Sequence, residues 1–205
     1  MWSSPLFWIV IAIALFWALG AYNRLMRLRS AVVQSFGSFD AHMVRLLALL
    51  GEFHAFCTVQ REASAAASPV DQEIAALHGA ATQLSASLAV ARARPLRSDA
   101  MAALAAARDV LHASWPGALH KAQETATPAE AIGQAGEGKG EGEATPAEPV
   151  PPGLLWTARW SDHVQQNEQA IAVFNDAVVQ YNAAIAQFPA NLLAWAFGFK
   201  TARGL

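Results

Sequence analysis

No charged side chain occurs in residues 1–23, and within them residues 6–19, LFWIVIAIALFWAL, are apolar without interruption. This stretch constrains the fold most, because roughly 20 apolar residues in one helix match the hydrocarbon thickness of a bilayer. With Tyr22 the segment reaches that length. Trp2 and Trp8 near one end, and Trp17 and Tyr22 near the other, suit the interfacial belts where an aromatic ring has one apolar and one wet side. A removable signal peptide calls for a basic start and a small-residue cleavage site; neither is present, and helical patterning continues straight through the boundary. Residues 1–23 are therefore expected to form an N-terminal transmembrane anchor. Arg24, Arg27 and Arg29 crowd one flank, which by the positive-inside rule puts the N-terminus outside and everything after residue 23 in the cytoplasm.

The composition fits a chain partly in lipid: 54% hydrophobic and only 15% charged over 205 residues, a length suited to one domain. The net charge of −2, with no basic stripe interleaved with aromatics, argues against a nucleic-acid partner. Cys57 is the single cysteine, so no intrachain disulfide can form.

Beyond the anchor, Val32, Phe36, Phe39, Met43, Leu46, Leu50, Phe53 and Cys57 alternate in steps of four and three. That period of 3.5 is a helix seam for packing against other helices. A helix over about 21–63 should leave the membrane as one rod. A second, about 70–94, carries Ile74, Leu77, Leu84 and Leu88 on one face and is closed by Pro95. A third, 98–115, holds Met101, Leu104, Val110 and Leu111 and is expected to stop at Pro116-Gly117. A fourth, about 155–188, repeats the seam with Ile171, Phe174, Val178, Tyr181, Ile185 and Phe188. After Pro189, Ala190-Asn191 opens a short terminal helix, LLAWAFGFK, apolar on nearly every face.

Residues 124–153 differ in character: six Gly, five Pro and six Glu with one Lys. Such a segment cannot bury enough apolar area to offset its ordering entropy and is expected to be a disordered acidic loop. Its charge leaves the rest of the chain mildly basic.

Phe174-Asn175-Asp176-Ala177-Val178, Tyr181-Asn182, Ile185, Phe188-Pro189, Asn191-Leu192 and Phe197-Gly198-Phe199 together resemble the C-terminal signature of the LemA family of bacterial proteins. Tyr22-Asn23, Leu25, Leu28-Arg29 and Phe39-Asp40 resemble the family block that follows its N-terminal membrane helix, and Leu84-Ser85, Leu88 and Pro95-Leu96 resemble a stretch leading to a proline-containing loop. Two features depart from the pattern: Val44, Arg45, Leu46, Ala48, Leu50, Gly51 and Glu52 stand where the family usually has paired basic residues, an acid and Ile-Pro-Asn, and the acidic loop is atypical. The resemblance implies a helical bundle on one membrane helix, with a role in membrane remodelling or beside membrane proteases. The expected division is a 1–23 anchor, bundle helices over 24–123, the loop at 124–153, and the last long helix plus the short apolar helix over 154–205.

Candidate chemistry is sparse. His54 and Cys57 lie one helical turn apart, which supplies two of the four ligands a structural zinc needs. Asp40 with Arg45, and Glu52 with His54, read as solvated flank residues rather than acid–base pairs. No G-x-S-x-G, HExxH or phosphate loop occurs. Asn175 and Asn182, seven residues apart beside aromatic seam positions, are expected to set helix register by hydrogen bonding across the interface, as is Asn23 at the exit from lipid.

The sequence thus leads to an all-α protein, one transmembrane helix continuing into an antiparallel bundle of about four long helices plus a short C-terminal one. No catalytic, cofactor or metal site is expected. The expected role is a non-enzymatic scaffold of the bacterial inner membrane, with the lipid bilayer and further copies of the chain as partners. The alternative is an adaptor for another membrane protein, such as a protease. In a Cys57→Ser background, Ser3→Cys should react with an impermeant thiol reagent in intact cells and Gly138→Cys should not; the reverse labelling would invert the topology.

Overall fold

The computed structural model describes residues 5–63, 72–133, 152–188 and 190–205, with side chains except at 63, 125–133 and 152. These residues form five helices and, among themselves, no strand: α1 (Pro5–Ala63), α2 (Gln72–Ala93), α3 (Ser98–Gly133), α4 (Pro152–Ala186) and α5 (Ala190–Phe197). The all-helical class and the bundle match the expectation from patterning. Every residue of the α1 seam from Val32 to Cys57 is buried.

That seam meets α4. Partners run in opposite directions: Arg24 with Gln187, Phe36 with Phe174, Met43 with Asn167, Glu52 with Arg159, Phe53 with Trp156. The two helices are therefore antiparallel over about 30 residues of α1, roughly 45 Å at 1.5 Å per residue. Antiparallel pairing recurs between α1 and α2, where Asp40 meets Arg92 and His54 stacks on His78. It recurs again between α3 and α4, where Trp115 stacks on Trp160 with centroids 4.3 Å apart and planes 9° apart. With α2 packed on α3, the four long helices close an up-down-up-down ring. Its core is capped at one end by the rings of Phe53, Trp115, Trp156 and Trp160.

The sequence reading needs correction at α3. The helix does not stop at Pro116-Gly117 but continues to Gly133. Pro116 has no N–H, so the His112 carbonyl loses its helical donor, ordinarily a loss of about 3 kcal/mol in a helix interior. Packing on both sides overrides it: Trp115, Ala118 and Ala122 are buried while Pro116 itself faces outward. Gly117 also sits where an added Cβ would lie 3.3 Å from the Glu73 side chain, so α2 closes tightly there. Of the apolar residues named in this helix, Met101, Leu104 and Leu111 are buried and Val110 is 49% exposed, while Ala107 is buried. The segment expected as an acidic loop begins and ends inside helices, α3 reaching Gly133 and α4 starting at Pro152. Its middle, 134–151, lies outside the described residues.

Another correction concerns the seam polar group. Neither Asn175 nor Asn182 lies in it; Asn167 does, 2% exposed and the one buried polar residue among those described. Its amide nitrogen lies 3.8 Å from the Met43 sulfur, and its carbonyl oxygen has no hydrogen-bond partner. An amide buried in this way specifies register at some loss of stability.

Phe53 is fully buried against two tryptophans, so Phe53→Ala should lower unfolding free energy by about 3–5 kcal/mol. Val179→Ala, at an exposed α4 position, should change it by less than about 0.5 kcal/mol. Chemical denaturation followed by circular dichroism measures both.

Candidate functional site at the bare end of the bundle

Because α1 has 59 residues and α4 only 35, antiparallel pairing leaves the start of α1 without a partner. Residues 5–22 rise about 27 Å, and nearly all their side chains are exposed, Leu6 at 70% and Phe16 at 82%. The segment is long and apolar enough to cross a membrane, and none of its most apolar window is buried inside the protein. α2 passes the same length and composition test, but Leu77, Leu84 and Leu88 on it are bundle core.

At the foot of this rod the chain returns. The α4 terminus brings Phe188 to Trp17, with ring centroids 5.7 Å apart. Phe197 and Phe199 approach Tyr22 at 5.3 and 6.3 Å, and the Arg29 guanidinium lies 5.8 Å over the Phe199 ring. Leu25, Ala184 and Ala190 form a small core beneath them. A groove of about 380 Å³ opens between the rod and α4, lined by Phe16, Trp17, Arg24, Leu25, Gln187 and Phe188. Arg24 donates to the Gln187 side-chain oxygen at 3.4 Å.

α5 is inverted relative to a helix that merely caps a soluble bundle. Its small residues Ala190 and Ala194 are buried, whereas Leu192, Trp195 and Phe197 are 58%, 86% and 62% exposed. Phe188, expected in the α4 seam, also points outward, because the helix has ended at Ala186.

After Gly198, whose φ of 70° only glycine adopts readily, the tail runs back along α4. Here Asn175 and Asn182 have the task that the sequence reading misassigned. The Asn182 amide donates to the Ala202 carbonyl at 2.8 Å while its oxygen accepts from the Ala202 N–H at 2.9 Å. Asn175 treats Leu205 in the same way, at 3.0 and 2.9 Å. The spacing is commensurate: seven helical residues rise about 10.5 Å, and three extended residues span about 10 Å. Two side chains thus replace a neighbouring strand. Gly204 passes so close to the Asn175 oxygen that a Cβ there would collide with it. The Tyr181 hydroxyl donates to the Lys200 carbonyl at 3.3 Å, and burial raises its pKa, so it stays protonated. Tyr181 was read as a seam residue, but the bond of its hydroxyl to the tail, Gly204 and the tail carbonyls escaped the sequence reading; the recoverable signal was the match between a seven-residue and a three-residue interval.

No protein-family model, curated protein or solved structure matches the chain.

The other singled-out residues are scattered. Asp40 pairs with Arg92 at 2.7 Å, not with Arg45, and Glu52 pairs with Arg159 at 2.6 Å, not with His54. Cys57 is buried, His54 stacks on His78, and among the described residues no group of three metal-ligating side chains assembles. Asn23 is exposed rather than in a helix interface. Burial and the neighbouring Arg108 lower the pKa of His112, which packs edge-on to Trp160.

Replacing Asn175 and Asn182 together with alanine removes four hydrogen bonds, each contributing about 1 kcal/mol at most, and should free the tail without melting the bundle. Trypsin should then cleave after Lys200 and Arg203 at least tenfold faster than in the parent, with helical circular dichroism unchanged. Equal cleavage rates would refute the clamp.

Proposed function

We propose that this chain is a non-enzymatic, LemA-like scaffold, anchored by residues 1–23 in the bacterial inner membrane with its bundle on the cytoplasmic face, where copies associate and organise or remodel the bilayer. The observation that carries the reading is the bare, uncharged start of α1, which the bundle leaves uncovered for about one hydrocarbon thickness. The Arg24, Arg27, Arg29 cluster directly after it supports the cytoplasmic orientation.

Support for association comes from the outer face of α1. Val33, Gly37, Ala41, Val44, Ala48, Gly51 and Ala55 are all exposed and recur at three- and four-residue steps. A Cβ added at Gly37 or Gly51 would meet nothing within 4 Å, so this face leaves room for another helix to approach closely. It runs parallel to the anchor axis, which holds every copy in the same orientation.

Light scattering after size exclusion in detergent should give a uniform homo-oligomer. Val44→Glu with Gly51→Glu should reduce it to monomer, with thermal stability changed by no more than about 1 kcal/mol for the pair. A parent protein that is monomeric and co-purifies with one other membrane protein would instead favour the adaptor reading.

A further inference from the structure

We propose that the end of the bundle from which the anchor leaves is a binding site for anionic phospholipid, with α5 lying in the headgroup layer and the groove beside Arg24 taking an acyl chain. The inference rests on the anchored reading above and adds a second, independent contact with the bilayer.

Charge carries the first part. Residues 1–39 and 177–205 contain no Asp or Glu, and they converge on this end of the molecule. They bring Arg24, Arg27, Arg29, Lys200 and Arg203, every one exposed. Cations contributed by segments that carry no Asp or Glu are suited to a negatively charged surface. Elsewhere the bundle mixes signs, as in the Asp40–Arg92 and Glu52–Arg159 pairs.

Apolar placement carries the second. α5 turns its alanines to the protein and its Leu192 and Trp195 away from it. The exposed surface is continuous with the anchor through the Trp17–Phe188 and Tyr22–Phe197 contacts. Those contacts fix its depth: Trp17 and Tyr22 are the aromatic belt at the lower end of the rod, so α5 lies at the same level. Its flanking cations and large outward side chains are those of a helix that rests in an interface. The tail clamp on Asn175 and Asn182 holds α5 from its far side, which prevents it from rolling its large residues inward.

The groove gives the site its shape. Leu25 and Ala184, both buried, are its floor, the exposed Phe16, Trp17 and Phe188 are its sides, and Gly20 leaves one wall low. Arg24 stands beside it, hydrogen-bonded to the neutral Gln187 side chain and, among the described residues, to no carboxylate. An acyl chain against this floor would put its phosphate at Arg24, where a guanidinium can hold it with two hydrogen bonds.

The test uses the full chain in vesicles of phosphatidylglycerol and phosphatidylcholine in equal parts, in a Cys57→Ala background. A polarity-sensitive fluorophore is attached at Ile13→Cys, Trp195→Cys or Val179→Cys. Lipids carrying a nitroxide near the headgroup should quench position 195 more than lipids carrying it at mid-chain, position 13 should show the opposite order, and position 179 should respond to neither. Introducing Arg24→Gln should lower the docked-to-undocked ratio at position 195 about fivefold, the effect of one cation beside an anionic surface, and omitting phosphatidylglycerol, which removes the surface from every cation, should lower it further. Position 195 behaving like 179 while 13 is quenched would overturn the lipid site and leave the anchor standing. No quenching at 13 would overturn the anchored reading itself. Disulfide formation between copies through residue 195, with no quenching there, would assign the surface to a second copy and refute the proposal.

Discussion

The antiparallel seam between α1 and α4 determines the rest of the molecule. It is the longest continuous apolar contact, running from Leu25 beside Ala184 to Phe53 beside Trp156. Its register is constrained by more than hydrophobic matching, since a slip of one heptad would leave Phe36 and Phe174 in contact with different layers. Asn167 strengthens that constraint. A buried amide whose oxygen lacks a partner is unfavourable by about 1–3 kcal/mol, and in a shifted register it would face large apolar side chains instead of the soft Met43 sulfur. Once the register is set, the length difference between the helices can appear only at the ends, and most of the excess falls at the N-terminus of α1.

The α2–α3 hairpin serves this arrangement by covering the seam. Its alanine-rich faces, with Ala80, Ala91, Ala107 and Ala118 buried, allow close helix approach. Large side chains concentrate in the layers that Phe53, Trp115 and Leu111 fill. Ion pairs on the rim, Asp40 with Arg92 and Glu52 with Arg159, are partly exposed and contribute little stability. Their effect is to disfavour mispaired helices. Pro116 shows how far tertiary packing can outweigh local preference: the missing N–H is tolerated because Trp115 is stacked on Trp160 of α4 and Gly117 lies close to Glu73 of α2.

Much of the fold was legible because a 3.5-residue period survives any loop length. The α1 positions from Val32 to Cys57 and the α4 positions Phe174, Val178 and Tyr181 are all core. What failed did so where a local rule met a nonlocal contact. Proline chemistry ends helices in isolation, so Pro116 read as a stop. Asn175 and Asn182 read as register amides because the seam was visible and the tail was not: an extended, Gly-containing stretch such as 198–205 has no periodicity to announce that it packs. Phe188 read as seam because its spacing was right, although α4 ends at Ala186, two residues short of it. The bare rod at the N-terminus was the clearest signal of all, because its message lies in uninterrupted composition, which no tertiary contact can disguise.

The inverted face of α5 completes the energetic argument. Leu192, Trp195 and Phe197 could each gain roughly 1.5–3 kcal/mol from burial, and an amphipathic octamer with that composition could rotate to obtain it. Two restraints oppose rotation. Ala190 packs with Leu25 and Ala184, and Ala194 is buried on the same side of α5, so turning the helix over would exchange these small side chains for large ones, and the tail leaving Gly198 is tied by paired hydrogen bonds to Asn182 and Asn175. The clamp recognises backbone groups, so it fixes the path of the tail whatever side chains the tail carries, with Gly204 required only for clearance. A short helix is thereby kept with its large apolar side chains outward, beside the point where the longest helix of the protein emerges bare. That surface is unfavourable in water and would become favourable where a second apolar phase covers it, which is what the proposed lipid contact supplies.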